Sequence, residues 1–431
     1  MAKKILVPSL LGILALLFSL TWYCSIKAED HFAVWMERTD QLARPLLTTG
    51  IVDYRRRLFT AEATTDVVLR NGERIAFHHL IRHYVWGVTI TTTVQPADAE
   101  QRQRFGELRA VTNIGPTGAI SSRLTLPRLQ IATADDRVVI DQISAEWQSG
   151  AAAAEGSWRV SADQGDILLA DQGSLVFAGG ELSGTLTDLD QIPLGQQQAT
   201  ISSLTLHATG LPRLSLENVR LVGDNRRTAG GRYQSGAQIS FAALAVGAEG
   251  FREGRMAVET AVIDEKLVAL FVKIRRELRA QLQSGGLAAI PPAAEVFPEF
   301  YAQLLQSGLT LFLRELTLAT DGGHLLGSGS VVLAPDEVRS AQADLLGQLQ
   351  AGLEVDFDIR ILSRIYRLFG QALGAPEHAQ DSAALETELR MIVGGLTQLG
   401  YLQRSQEDRF RLQLSLERGA LRLSDQPLPG F

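Results

Sequence analysis

The residues that most constrain this chain come first: Lys3-Lys4, then an unbroken apolar run from Ile5 to Ile26, then Lys27, Glu29 and Asp30. As a helix rising about 1.5 Å per residue, that run would extend roughly 33 Å, enough to cross the hydrocarbon of a bilayer once. Everything after it then reads as a soluble body tethered to one side of a membrane. The run ends in Thr21-Trp22-Tyr23-Cys24-Ser25-Ile26, without the small residues that precede a signal-peptidase cut, and Trp22-Tyr23 is too bulky for a lipoprotein site. Amphipathic rings at that place suit headgroup depth. Residues 1–27 are therefore expected to be an uncleaved signal anchor forming a single transmembrane helix, with a cleaved signal as the competing reading. Lys3 and Lys4 hold the N-terminus in the cytoplasm, which puts the body in the periplasm of a bacterium, at its inner membrane.

Composition narrows the classes open to the body. A net charge of −7 with no basic stripe argues against nucleic acid as a partner. The single cysteine, Cys24, lies in the apolar run, so the body can hold neither a disulfide framework nor a thiolate metal site.

Along the chain, Phe32, Trp35, Thr39, Leu42 and Leu46 recur at helical spacing and predict a stalk helix over 28–50, packed on the body in preference to forming a coiled coil. From 51 to 263 the period falls to two. Thr200 to Ala208 alternates apolar with polar, as do Arg213-Leu214-Ser215-Leu216 and Ile143 to Trp147. Further strands are expected at 64–70, 88–94, 120–131, 158–162, 166–170, 174–178, 181–187, 231–246 and 251–261, punctuated by Asn71-Gly72, Gly179-Gly180, Asp224-Asn225 and Gly230-Gly231. Gaps this short leave no room for crossover helices, so the sheet should be mostly antiparallel.

The region 264–431 mixes both periods. A helix near 264–283 is capped by Asp264 and striped by Leu267, Leu270, Phe271, Ile274, Leu278 and Leu282. Helices near 295–306, 360–373 and 381–400 and strands near 309–319, 325–333 and 353–358 follow, and Arg411 to Ser424 closes the chain as a hairpin. The fold class expected from the whole is α+β and β-rich: one N-terminal transmembrane helix, a large antiparallel sheet and several amphipathic helices.

Searches for catalytic chemistry return nothing. No lysine sits in a phosphate-loop pattern, no serine is flanked as in a nucleophile elbow, and His-Glu-x-x-His does not occur. His78-His79-Leu80-Ile81-Arg82-His83 is the one titratable cluster. On a strand His79 and His83 share a face about 13 Å apart, too far for one ion, so they read as structural histidines. No catalytic, cofactor-binding or metal residue is assigned, and no cofactor is expected.

The stretch Gly50-Ile51-Val52-Asp53-Tyr54-Arg55-Arg56-Arg57-Leu58-Phe59-Thr60 resembles the opening motif of the YdgA-like family of bacterial proteins of uncharacterised function. His79-Leu80-Ile81-Arg82-His83 matches the first part of that family's next motif, with Tyr84-Val85 in place of Gly-Pro. Glu417 to Leu423 is similar to its ending, with Ser424-Asp425 in place of Asn-Gly. The resemblance implies an inner-membrane-anchored envelope protein in which Tyr54, Arg56, Phe59, His79, Ile81, His83, Gly419 and Leu421 are matched for fold, with Phe59 buried.

Two functions follow as expectations, neither enzymatic. The first is handling of lipid or other apolar cargo on a sheet face, an arrangement similar in layout to AsmA-like lipid-transport proteins. The alternative is a periplasmic scaffold in envelope maintenance or secretion, partnered by itself or by another envelope protein. A carboxylate-based hydrolase is the residual enzyme reading. In each, the inner membrane is a partner through residues 5–26.

Overall fold

The computed structural model describes residues 29, 32–33, 36, 47–57, 59–69, 72–84, 86–132, 136–150, 155–169, 173–187, 194–210, 212–228, 232–261, 263–274, 303–304, 306–333, 349–372, 382–406, 408–417, 420–424 and 426–427. These fall into two compact units. One is Met1–Ile167 with Ser183–Leu189 and Arg279–Ala289, and the other is Leu168–Leu182, Asp190–Leu278 and Ile290–Phe431.

In the first unit β1 (Leu47–Arg56), β2 (Thr60–Leu69), β3 (Arg74–Tyr84), β4 (Gly87–Gln95), β5 (Arg109–Ile114), β6 (Ile120–Ala132) and β7 (Asp136–Ser149) pair in chain order, each antiparallel to the last. The short helix α1 (Ala99–Phe105) bridges β4 and β5. Its Asp98 cap accepts the Gln101 backbone N–H at 2.7 Å, and the buried Gln101 amide donates to Arg74 O at 2.7 Å. Beside β7 runs β8 (Glu155–Leu169), joined to it by Ser144 Oγ and Ser161 Oγ at 2.9 Å and by Gln164 donating to Asp141 at 2.7 Å.

The unit's core lies on one face of β2 to β4. Ala61, Ala63, Ile81 and Ile90 lie beneath Phe32 and Met36, which are 2% and 6% exposed. Two alanines on β2 leave the space that those larger side chains fill.

The second unit holds β9 (Gly173–Thr187) up to residue 182, then β10 (Gly195–Ala208), β11 (Leu214–Arg227), β12 (Tyr233–Val246) and β13 (Glu249–Thr260). After α2 (265–274) come β14 (Leu309–Thr320), β15 (Gly323–Leu333) and β16 (Leu349–Asp358). Helices α3 (Ile359–Ala372) and α4 (Ser382–Gln398) precede β17 (Gln403–Gln406), β18 (Arg409–Glu417), β19 (Ala420–Leu423) and β20 (Gln426–Pro427). Pairing is antiparallel in chain order from β10 to β16, after which β18 takes the next place. β17 and β19 then share the other side of β18, one at each end.

Helices α3 and α4 close one part of this sheet. Ile359, Ile361, Leu385, Leu389 and Val393 pack with Phe251, Phe357 and Phe410. Arg364 donates to Gly250 O at 2.7 Å, and Arg367 meets Glu249 at 2.8 Å in a largely buried ion pair. Together they fasten α3 to the β12–β13 turn.

The expected α+β class is corrected: the described residues are 71% strand and 17% helix, a mostly antiparallel β architecture. The physical reason is that segments read as breaks continue as strand. Gly179-Gly180 and Asp224-Asn225 lie inside β9 and β11, fusing 174–178 with 181–187, just as 158–162 and 166–170 fuse in β8. The stalk expected to reach Gly50 gives way to β1 at Leu47. The expected transmembrane helix at 5–26 lies outside the described residues, among which no helix is long and apolar enough to cross a membrane. Most of the helix expected at 295–306 also lies outside them.

Helix faces also shift. In α4 the inward positions are Leu385, Leu389, Val393 and Leu396, while Ile392 and Leu399 are 50% and 66% exposed. In α2 Leu267 and Ile274 are buried, but Phe271 is 55% exposed.

Candidate functional site

Of the residues singled out by sequence, Tyr54, Arg56, Phe59, His79, Ile81 and His83 fall in the first unit. Antiparallel register sets Ala63 beside His79 and His79 beside Thr92, so the His79 ring stands between two hydroxyl-bearing strands. Its Nε2 lies 2.8 Å from Thr65 Oγ1 and its Nδ1 2.8 Å from Thr92 Oγ1, and Phe32 meets the ring edge-on at 5.3 Å. Burial, with a smaller contribution from His78, lowers its pKa to about 4. It is a neutral imidazole joining two threonines.

His83, two pleats on, is 3% exposed and neither ring nitrogen has a hydrogen-bond partner among the described residues. Burial pushes its pKa down as well. Ile81 lies between the two histidines, 1% exposed. No group of three metal-ligating side chains occurs among the described residues.

The other matched residues separate. Tyr54 on β1 packs 6.0 Å from Phe32, and its pKa rises to about 12 through burial first and Glu29 second. Arg56 ends β1 with its guanidinium 3.9 Å from Glu29. Phe59, expected to be buried, is 52% exposed, because it occupies the β1–β2 turn. Leu421 sits on β19 opposite Leu416, and Gly419 lies outside the described residues. Tyr54, His79 and Ile81 thus line the core around Phe32.

The feature that sequence reading missed is in the second unit. Asn218 and Glu253 take positive φ, 51° and 50°, in the middle of β11 and β13, and Gly179 takes 61° in β9. Their positions line up. Gly179 faces Ser202 so closely that an added Cβ would come 2.2 Å from the serine Oγ. Ser202 lies opposite Asn218, Asn218 opposite Ala242, and Ala242 opposite Glu253, each skipped in the ladder pairing.

Left-handed backbone at Asn218 and Glu253 resets which way the side chains of β11 and β13 point, while Ser202 on β10 and Ala242 on β12 face it with ordinary φ. The apolar positions change parity at the same place, from Leu214 and Leu216 to Val219 and Leu221, and from Leu206 and Leu204 to Ile201 and Ala199. Both sets consequently share one face. The Phe241 ring lies over Gly254, where an added Cβ would come 1.9 Å from the ring.

The result is one apolar face across β10 to β13. Leu204 meets Leu216 and Leu244 in one register line, and Leu221, Ile239 and Met256 meet in another. Its Leu244 and Phe251 end is packed into the helix core. Beyond the Asn218 row Leu221 and Met256 remain 45% and 42% exposed, and Leu206, on β10 at the same strand end as Leu244, is 39% exposed.

The opposite face is polar: Arg220 reaches Gln198, Arg255 pairs with Glu315 at 3.0 Å, and Arg314 pairs with Glu259 at 2.7 Å while covering the Phe312 ring. Its depression of about 540 Å³ across β14, β15, β16 and β18 is lined by Ser328, Ser330, Ser415 and Glu354, with Arg314 already held by its carboxylate.

A parity count across Asn218 and Gly179 was the signal that could have found the apolar face. Among comparisons with known proteins, the family model described as a bacterial protein of unknown function (DUF945) matches residues 1–430. No curated protein and no solved structure matches the chain.

Proposed function

We propose that this chain, which belongs to the DUF945 family of bacterial proteins of unknown function, is a YdgA-like, non-enzymatic envelope protein that carries lipid or other apolar cargo on a sheet face. The observation that supports the reading is the apolar face of β10 to β13, continuous across the row at Asn218 and half-open at Leu206, Leu221 and Met256. Isolated exposed leucines are ordinary on protein surfaces, whereas apolar side chains left exposed along one face suit a binding surface. Acyl chains fit it, because they need contact area without hydrogen-bond partners.

Under the same proposal the chain is held at a bacterial inner membrane through its apolar residues 5–26, with the body on the periplasmic side. Lys3 and Lys4, which favour the cytoplasm, support that placement.

The test is native mass spectrometry of detergent-extracted protein beside crosslinking in cells from a photoreactive residue at position 206 or 221. Co-purified phospholipid that crosslinks there, and that is lost in Leu221→Arg, is the expected result. An extract free of lipid, with no lipid adduct at either position, sinks the cargo reading.

A further inference from the structure

At one end of the first unit, two hairpin tips are tied together. The turn after β1 and the turn after β3 meet where the His83 N–H donates to Phe59 O at 2.9 Å. The joined tips display aromatic rings to solvent: Trp86 is 70% exposed and stacked on Tyr84 at 5.8 Å with an interplanar angle of 10°, and Phe59 is 52% exposed. The fixed stack means that Trp86 is held in place as well as exposed.

Around these rings lie Arg55, Arg56, Arg57 and the exposed Arg82. Their carboxylate neighbours are Asp53, 2.7 Å from Arg55, Glu62, 3.6 Å from Arg57, and Glu29, 3.9 Å from Arg56. Arg82 adds a further exposed guanidinium beside the rings. Tryptophan and tyrosine beside arginine is the composition that settles at the headgroup layer, where rings lie in the interface and guanidinium groups meet phosphate.

Chain connectivity supplies an independent constraint. Glu29 stands beside Arg56, three positions on from Ile26, the last of the apolar run. Three residues span at most about 11 Å. Whatever surface residues 5–26 engage, the tip is next to it.

We propose that this double-hairpin tip, with Trp86, Tyr84 and Phe59 as its apolar contacts and Arg55, Arg57 and Arg82 around them, docks on the headgroup layer of an anionic bilayer. The inference rests on the reading that residues 5–26 engage the membrane. Docking fixes the orientation of the first unit against the bilayer, where the apolar run alone would leave the body free to swing.

The test uses the full chain in vesicles of phosphatidylethanolamine and phosphatidylglycerol, with acyl chains either ordinary or brominated near the headgroup. One variant keeps Trp86 alone, by Trp22→Phe, Trp35→Phe, Trp147→Phe and Trp158→Phe, and a second keeps Trp22 alone. Brominated lipid should lower Trp86 emission about twofold, as for a ring at headgroup depth.

Quenching of Trp22 with no quenching of Trp86 overturns the docking and leaves the membrane reading intact. No quenching of either overturns both. A blue-shifted Trp86 that brominated lipid does not quench means that protein covers the tip, which also overturns the proposal. Should the multiple variants not fold, a nitroxide on Trp86→Cys in a Cys24→Ser background, compared with one on native Cys24, reads the same contrast through oxygen and nickel-chelate accessibility.

Discussion

In the first unit the inward face of β2 to β4 is closed under Phe32 and Met36 and contains two buried histidines. In the second, the apolar face of β10 to β13 is covered only at its Leu244 and Phe251 end among the described residues. Both faces come from the same two-residue alternation. The difference lies in what stands opposite: a side-chain layer that fits alanine-sized gaps in one, and open, flat leucine surface in the other. Alternation thus specifies which residues share a face and says nothing about whether that face is filled.

The comparison breaks most sharply at Ile81 and Leu221. Ile81→Ala should cost about 3–4 kcal/mol by leaving a cavity in a closed core, against less than about 1 kcal/mol for Leu221→Ala, read by urea unfolding. Equal losses at the two positions would mean that the second face is as closed as the first.

A second contrast is pH. His79 is buried neutral, so its folded pKa of about 4 lies below its unfolded value of 6.5, and the unfolded chain binds more protons between them. Stability is full above pH 6.5 and falls as pH drops towards 4, by about 3 kcal/mol from this group, with His83 acting in the same direction. His79→Gln should flatten that slope in thermal scans from pH 7 to 4. An unchanged slope would contradict the assignment.

Asn218 sharpens the other side of the comparison. A β-branched residue at φ 51° is strained, so Asn218→Val should destabilise by about 1–2 kcal/mol while Asn218→Gly stays near neutral. The smallest expected change is Leu206→Ser, within about 0.5 kcal/mol in stability, yet with clearly reduced binding of a fluorescent apolar probe. A large stability loss there would point to an occupied core.

Much of the strand content was legible, because alternation at 200–208 or 411–416 needs no tertiary information. The helix boundaries at 359–372 and 382–398 were also within reach of periodicity. What was not legible is local backbone sign. Gly179-Gly180 has the composition of a turn, and only its partner Ser202 across the ladder shows that it is a mid-strand phase change. Phe59 carries the hydrophobicity of a core residue, but it falls in the turn between two strands, where about half of it stays exposed. His79 and His83 were readable as sharing a face. That one would be satisfied by Thr65 and Thr92 and the other left unpartnered among the described residues depends on register, which sequence spacing alone does not supply.

The row through Gly179, Ser202, Asn218, Ala242 and Glu253 has a consequence for assembly of the sheet. Strands β10, β11 and β12 are each fourteen residues long, and ladders of that length made of similar leucine and serine pairs have many near-equivalent alignments. In the native register each left-handed residue stands opposite Ser202 or Ala242, and a slip of one residue would move it off those partners and turn half of each apolar set outward, so misaligned ladders are penalised as soon as they reach this row. The kinks act as an index mark, letting each incoming strand find its alignment from the middle outwards.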